Sequence, residues 1–349
     1  MVKHEHLSAV FAQQAGACRA LGSPMYGELL TQIVDDIAAN GVFTEVLAGH
    51  EDDPGPSALA LRLLGGLHRL VLDGRAPRLR RWYPSVGGAW DAASAWPDVV
   101  GVAQSQIGEL RSALGHPPQT NEVGRSAALI GALLFLLRQF PLPIRLFEIG
   151  ASAGLNLRAD CYRYLFAGGQ WGPANSPVVI DDAWLARRPP DSELRIVERH
   201  GFDIEPVDII DDDGRLTLLS YIWPDMPVRL RRLEAAIRIA RRVPASLDRA
   251  PAAEAVQRVG IARGSLTVLW HSVTWQYLSA LEQRQVNARV ASLAEQADTA
   301  APFVWLTLEP QRRSPDSPHE FLVRARCWPG GTDQILGVST PHGPPVIWE

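Results

Sequence analysis

From residue 144 onward, short β-rich runs alternate with helical stretches, and that alternation constrains the fold more than any other feature of the chain. The runs are IRLFEI (144–149), PVVI (177–180), LRIVERHGF (194–202), PASL (244–247), SLTVLWHSV (265–273), FVWLTL (303–308), FLVRARCW (321–328), and ILGVST with PVIWE between 335 and 349. Between most of the earlier runs the spacing predicts helices over 154–166, 216–242, 250–259 and 281–298. Strands that alternate with helices form a parallel sheet covered on both faces. The final runs are joined only by turns such as Pro329-Gly330-Gly331. A parallel pair needs a long crossover, so these strands pair as an antiparallel hairpin.

Residues 1 to about 140 carry no such runs. Apolar residues recur there at helical spacing, as in Leu29, Leu30, Ile33, Val34 and Ile37, closed by Asn40-Gly41. Further helices are predicted from Ser57 to Leu72, over about 98–114, and from Thr120 to Gln139. Trp82, Trp90 and Trp96 lie in a turn-rich stretch and are expected in a core or along a substrate pocket. The expected division is a helical N-terminal cap region, 1–116, before an α/β domain, 117–349.

Composition narrows the function classes. Among 349 residues, Lys+Arg total 34 and Asp+Glu 38, a formal net charge of −4. Proteins that live on phosphate backbones carry a basic excess, which argues against a nucleic-acid partner and for a small-molecule or peptide-like one. The basic run 229–242 has a regular apolar stripe and reads as one solvated helix face. Three separated cysteines without a CxxC support neither a zinc knuckle nor a disulfide framework, and no metal is expected. The apolar stretch Ala127–Leu137 is too short for a bilayer. With no apolar core in the opening segment, a soluble cytoplasmic protein is expected. The sequence assigns no oligomeric state.

The most informative segment is Leu146-Phe-Glu-Ile-Gly-Ala-Ser-Ala-Gly-Leu-Asn-Leu157, in which a strand feeds a small-residue turn and then a helix. Three readings compete. Glycines that let a ligand approach, ahead of a helix N-terminus, suit a cofactor turn. Gly150-Ala-Ser152-Ala-Gly154 also fits the G-x-S-x-G elbow of a serine hydrolase with Ser152 as nucleophile. Such folds place several strands before the elbow, and this turn follows the first. The third reading is a tight turn without a ligand.

Glu148-x-Gly150-x-Ser152-x-Gly154 resembles motif I of the Rossmann-like S-adenosylmethionine-dependent methyltransferases, with Ser152 where that motif has its middle glycine. Gly201-Phe-Asp203-Ile-Glu-Pro206 resembles their second motif. The resemblance implies S-adenosylmethionine as cofactor. Glu148, Gly150, Ser152, Gly154 and Asn156 would hold its methionine part, Asp203 the ribose and Asp248 the adenine. Asp203 lies 49 residues beyond Gly154, farther than the usual spacing of about 20, and Asp181 or Asp182 is its rival. Asp248 equally suits an N-cap.

SLTVLWHSV reads as a central strand whose C-terminal end faces the ligand crevice of such a sheet. His271 is the candidate general base, or a structural histidine, with Tyr277 as a second catalytic candidate and Trp275 beside it. Glu309 ends the next strand, as a substrate-side carboxylate or a loop charge. Asn121, Glu122 and Arg125 either cap the helix before the first strand or line the site. QTNEVGRSA (119–127), WHSVTWQYL (270–278) and the closing Trp328-Pro-Gly-Gly resemble a bacterial, mainly actinobacterial family known only as a domain of unknown function. That resemblance spans the chain and carries no activity with it. Methyl transfer to an unknown acceptor, serine hydrolysis through Ser152, and non-catalytic ligand binding are therefore the functions to weigh.

Overall fold

The chain is described over residues 2–53 and 55–349 in a computed structural model. It forms two units: Met1–Thr120 with Ile210–Arg231, and Asn121–Ile209 with Arg232–Glu349.

The first unit is helical. It contains α1 (Val2–Ala20), α2 (Pro24–Ala38), α3 (Val42–Val46), α4 (Leu59–Leu72), α5 (Ala92–Ser105) and α6 (Ile107–Leu114); α7 (Ser126–Leu136) opens the second unit, and α8 (Asp212–Ser220) returns to the first. Ser23 caps α2 by accepting from the Tyr26 N–H, and Asp91 caps α5 by accepting from Ser94. The predicted helix over 98–114 is thus two helices, and it starts earlier. Phe11, Leu29, Leu30, Ile33, Leu63 and Leu67 are fully buried in one core. Trp82, Trp90 and Trp96 pack half-buried against it, and the indoles of Trp82 and Trp90 donate to Asp98 and Glu28. The segment 210–231 adds Trp223 to that core, and Asp225 accepts from Ser23 Oγ at 2.6 Å and from the Met25 N–H at 3.0 Å.

The second unit is built on β1 (Ile144–Ile149), β2 (Arg163–Phe166), β3 (Gly169–Trp171), β4 (Val179–Ile180), β5 (Trp184–Ala186), β6 (Ile196–Asp203), β7 (Ser246–Arg249), β8 (Leu266–Ser272), β9 (Phe303–Arg312), β10 (His319–Trp328), β11 (Thr332–Thr340) and β12 (Gly343–Trp348). Nine of them form one sheet in the order β5-β12-β11-β10-β9-β8-β1-β6-β7. The run β7-β6-β1-β8-β9 is parallel, β9 to β12 form an antiparallel meander, and β5 joins its edge in parallel. The fold is therefore mixed α/β: a helical N-terminal region and a large, mostly parallel sheet with antiparallel strands toward one edge.

Both faces of the sheet are covered, as the unbroken apolar runs require. On one face α10 (Ala252–Ala255) and α11 (Ala280–Gln296) pack on Phe147, Ile149, Leu269, Phe303 and Trp305, reached by Val286, Val290 and Leu293 of α11. The other face carries α7, apolar all round and buried almost throughout. Close passage fixes its entry: a side chain on Gly124 would meet His342 O at 2.2 Å. The chain leaves the first unit for the last time within α9 (Pro227–Ala240).

Several predicted elements differ. The helix expected over 154–166 is only a 3-10 turn, Leu155–Cys161, followed by β2. Arg158 breaks its helical dihedrals, and the buried hydroxyls of Tyr162 and Tyr164 donate to the Leu155 and Ala159 carbonyls. Aromatic residues at alternating positions favour strand there. The helix expected from Thr120 begins at Ser126, after a 3-10 turn over Val123–Arg125. PVVI supplies β4 of a separate three-stranded sheet, β3-β2-β4. The helix expected over 216–242 is interrupted between α8 and α9.

Candidate functional site

The order β7-β6-β1-β8-β9 reverses direction between β1 and β8: the chain moves outward through β6 and β7, then returns to the other side. Ligand crevices in such sheets lie at the carboxyl ends of the strands flanking that switch point. β1 ends at the 150–154 turn, and β8 ends at His271-Ser272.

His271 is 1% exposed, and its Nδ1 lies 2.7 Å from Glu309 Oε1. The same carboxylate oxygen accepts the Thr274 N–H at 2.9 Å and the Trp275 N–H at 3.2 Å. A carboxylate only accepts, so Nδ1 donates, and in the neutral ring Nε2 keeps the lone pair. Nε2 has no hydrogen-bond partner. Trp275 stacks on the imidazole, centroids 5.4 Å apart and planes 16° from parallel. Between these groups Val273 stands at φ 52°, a left-handed backbone that β-branched residues avoid, and it is held by its N–H donating to Leu308 O. Strain of this kind clusters at functional sites.

Beside this pair lies a cavity of about 230 Å³, lined by His271, Trp275, Trp305, Thr307, Arg324 and Arg326. Asn287 of α11 and Gln311 of β9 complete its wall. The register puts His271, Thr307 and Arg324 abreast on β8, β9 and β10. The Arg326 guanidinium lies over the Trp305 ring, 5.0 Å from its centroid.

The glycine turn is a second cluster. Gly150, Ser152 and Gly154 all have positive φ. Asp203 Oδ2 accepts the Ser152 N–H at 2.8 Å, and its Oδ1 accepts the Glu205 N–H at 2.9 Å. Asn121 Oδ1 accepts the Leu155 N–H at 2.9 Å, so Asn121 serves this turn and does not cap α7. Asn156 donates to Glu122 O, and Glu122 accepts the Gly124 N–H. Arg125 donates to the carbonyls of Pro341 and Ser272. Glu148 is 2% exposed, and burial pushes its carboxyl up to about 8. The Trp270 indole lies near enough to temper that rise without meeting hydrogen-bond geometry, and Arg158 and Arg125 also oppose it.

These residues do not fit S-adenosylmethionine as they stand. The space a side chain would take on Gly150 is filled by Thr274, whose Oγ1 would lie 2.3 Å from a Cβ there. The Ser152 and Leu155 donors and both Asp203 oxygens are engaged inside the protein. The 3-10 turn that follows offers no helix dipole of useful length.

The structure thus brings His271, Trp275 and Glu309 together at one cavity, and gathers Glu148, Gly150, Ser152, Gly154, Asn156, Asp203, Asn121, Glu122 and Arg125 around the turn. Thr274 touches both. Three candidates stand apart. Tyr277 is 48% exposed. Asp248, on β7, pairs with His200 at 3.0 Å and Arg258 at 3.3 Å. Asp181 is exposed beyond β4, whereas Asp203 ends the strand beside β1. Ser152 does not line the cavity, and the unpartnered Nε2 shows that no serine contacts His271 as a hydrolase pair would. Among the described residues no group of three His, Cys, Asp or Glu could hold a metal ion, and no helix is long and apolar enough to cross a membrane.

Sequence reasoning missed Thr307, Arg324, Arg326, Asn287 and Gln311. The available signal was Arg324-Ala-Arg326 inside an otherwise apolar strand, which places two guanidiniums on one face.

Fold and site together define a mixed α/β protein with a buried carboxylate–histidine pair at the switch point of its sheet. The chain belongs to the family described as "Uncharacterized protein conserved in bacteria (DUF2332)", whose model matches residues 8–348. No curated protein and no solved structure matches it.

Proposed function

We propose that this protein is an enzyme in which His271 acts as general base on a hydroxyl or amine of a small-molecule substrate held in the neighbouring cavity. The observation that carries this is the bare, buried Nε2 of a histidine whose other nitrogen is fixed by Glu309. A carboxylate on Nδ1 sets the tautomer and stabilises the imidazolium formed when Nε2 takes a proton. The strained Val273 and the two backbone N–H groups on Glu309 fix that carboxylate and the loop around it, so the pair is organised before substrate arrives. Trp275, stacked on the ring, excludes water from it. Imidazole ¹⁵N NMR tests this reading. The expected result is a neutral His271 protonated at Nδ1 and bare at Nε2. A ring protonated only at Nε2 overturns it, because no lone pair would then be available to the substrate.

Methyl transfer is a second reading, and one observation favours it: the spatial order of the five parallel strands, with a glycine turn after β1 and an acid ending β6, resembles the Rossmann-like methyltransferases. By analogy of fold alone this carries little about activity. It requires Thr274 and Asp203 to release the turn when the cofactor binds. Calorimetric titration with S-adenosylmethionine and S-adenosylhomocysteine checks it. The reading expects binding by wild type that is weakened at least tenfold in Asp203→Ala. No heat with wild type ends it.

A further inference from the structure

We propose that the cavity beside His271 takes a small carboxylate that also carries a hydroxyl or N–H group. This rests on the general-base reading and names its substrate class. Three side chains that line the cavity each carry a polar atom that is buried without a hydrogen-bond partner: His271 Nε2, Trp305 Nε1 and Thr307 Oγ1. Buried polar groups are satisfied in the great majority of cases, so three such atoms around one hollow mark the outline of a missing ligand. Their chemistry differs. With Nδ1 donating to Glu309, Nε2 seeks a donor; the indole N–H seeks an acceptor; the threonine hydroxyl takes either role. The occupant therefore presents an X–H group to His271 and oxygen acceptors toward β9.

Charge supplies the next constraint. Arg324 and Arg326 both line the cavity, and both lean on the single carboxylate of Asp333, Arg324 at 2.6 and 2.8 Å and Arg326 at 3.1 Å. Two guanidiniums sharing one carboxylate leave one positive charge on the arginine side of the cavity, with the Glu309 carboxylate behind His271 on the other, and that local charge draws a monoanion to the arginine side. Guanidinium forks match carboxylate oxygens in geometry as well as charge. The walls are largely aromatic: Trp275 and Trp305 pack on each other with ring centroids 5.6 Å apart and planes tilted by 55°, and Arg326 lies over Trp305. Size follows from the volume. A cavity of roughly 150 Å³ holds benzene, and about 230 Å³ holds one ring with a carboxylate and a hydroxyl. It is smaller than the roughly 300–1,000 Å³ typical of sites for larger ligands.

The three hydroxybenzoate isomers are the probes, with benzoate and phenol as controls, titrated calorimetrically against the full chain. At least one hydroxybenzoate should bind ten times or more tighter than either control. Arg326→Gln and Arg324→Gln should each weaken hydroxybenzoate about tenfold and leave phenol unchanged; His271→Gln should abolish the preference over benzoate. If no hydroxybenzoate binds, or if both arginine variants bind it like wild type, the substrate class is wrong. The two readings fail separately. Arginine-dependent binding indifferent to His271→Gln overturns the general base while keeping the carboxylate. Binding of phenol that depends on His271 while benzoates are ignored overturns the carboxylate and keeps the base.

Discussion

At the scale of single residues, Glu148 makes the clearest statement about pH. Burial raises its carboxyl from the ordinary 4.5 to about 8, so the folded protein holds a proton there that the unfolded chain releases earlier. Wherever the folded state binds more protons, stability falls as pH rises. The stability conferred by the protonated acid is complete below about 4.5, declines through neutrality and is gone above about 8. A tenfold difference in proton affinity between the folded and unfolded states is worth about 1.4 kcal/mol, so the loss across that window is on the order of 3–5 kcal/mol. Glu148→Gln keeps the shape and cannot ionise. Chemical denaturation from pH 5 to 9 should show wild type losing stability relative to the variant as pH rises. Parallel profiles would mean that Glu148 titrates as an ordinary carboxyl. Glu309 is equally buried yet receives three N–H donors on one oxygen, including His271. Two carboxyls on neighbouring parts of one sheet are thus treated oppositely, one left without a donor and one used as an acceptor.

At the scale of elements, the 150–154 turn and the 272–275 turn act as a unit. Gly150 has φ 68°, and Thr274 occupies the space beside it while its N–H binds Glu309. Gly150→Ala should cost about 2–3 kcal/mol, combining left-handed strain of roughly 1–2 kcal/mol with the clash against Thr274. Thr274→Gly relieves the clash but not the left-handed strain, and it gives up the Thr274 hydroxyl's bond to Ser272 O, so in a double-mutant cycle the two changes should couple by about 1 kcal/mol. Strict additivity in urea unfolding would show that the two turns are independent. Neither turn's role was fully legible in the sequence. β1 matched its run to the residue, and β6 and β8 to β12 overlap theirs, because a mainly apolar run flanked by breakers reports a buried strand, whereas β2 lay inside the expected helix and the short β3 and β5 had no run to announce them. The stretch after Gly154 misled: Leu155, Leu157 and Arg158 suit a helix, and only the tertiary burial of Tyr162 and Tyr164 turns it into a 3-10 turn and a strand. Likewise His271, Trp275 and Glu309 were legible as strand-end residues, whereas Arg324 and Arg326 join them only through the β9–β10 pairing. Local spacing carries no direct record of which strands become neighbours.

At the scale of the whole molecule, the chain visits the helical unit twice. The first stretch of the helical unit runs to Thr120, but 210–231 returns to that unit, and nothing in its composition announces the return. Trp223 of that segment is 6% exposed in the helical core, its ring 6.2 Å from that of Tyr26, and Asp225 holds the start of α2 through Ser23 and the Met25 N–H. These contacts make the early helices depend on a segment about two hundred residues later. Trp223→Ala should therefore remove roughly 3–5 kcal/mol, the usual cost of emptying a large aromatic site. Hydrogen exchange read by mass spectrometry locates the effect, because local openings report the stability of each cooperative unit. Faster exchange is expected in peptides from α1, α2 and α4, far from the substitution in sequence, with protection retained in β1, β8 and β9. Loss of protection concentrated in those sheet strands instead would show that 210–231 stabilises the sheet, and the division of the chain would have to be redrawn.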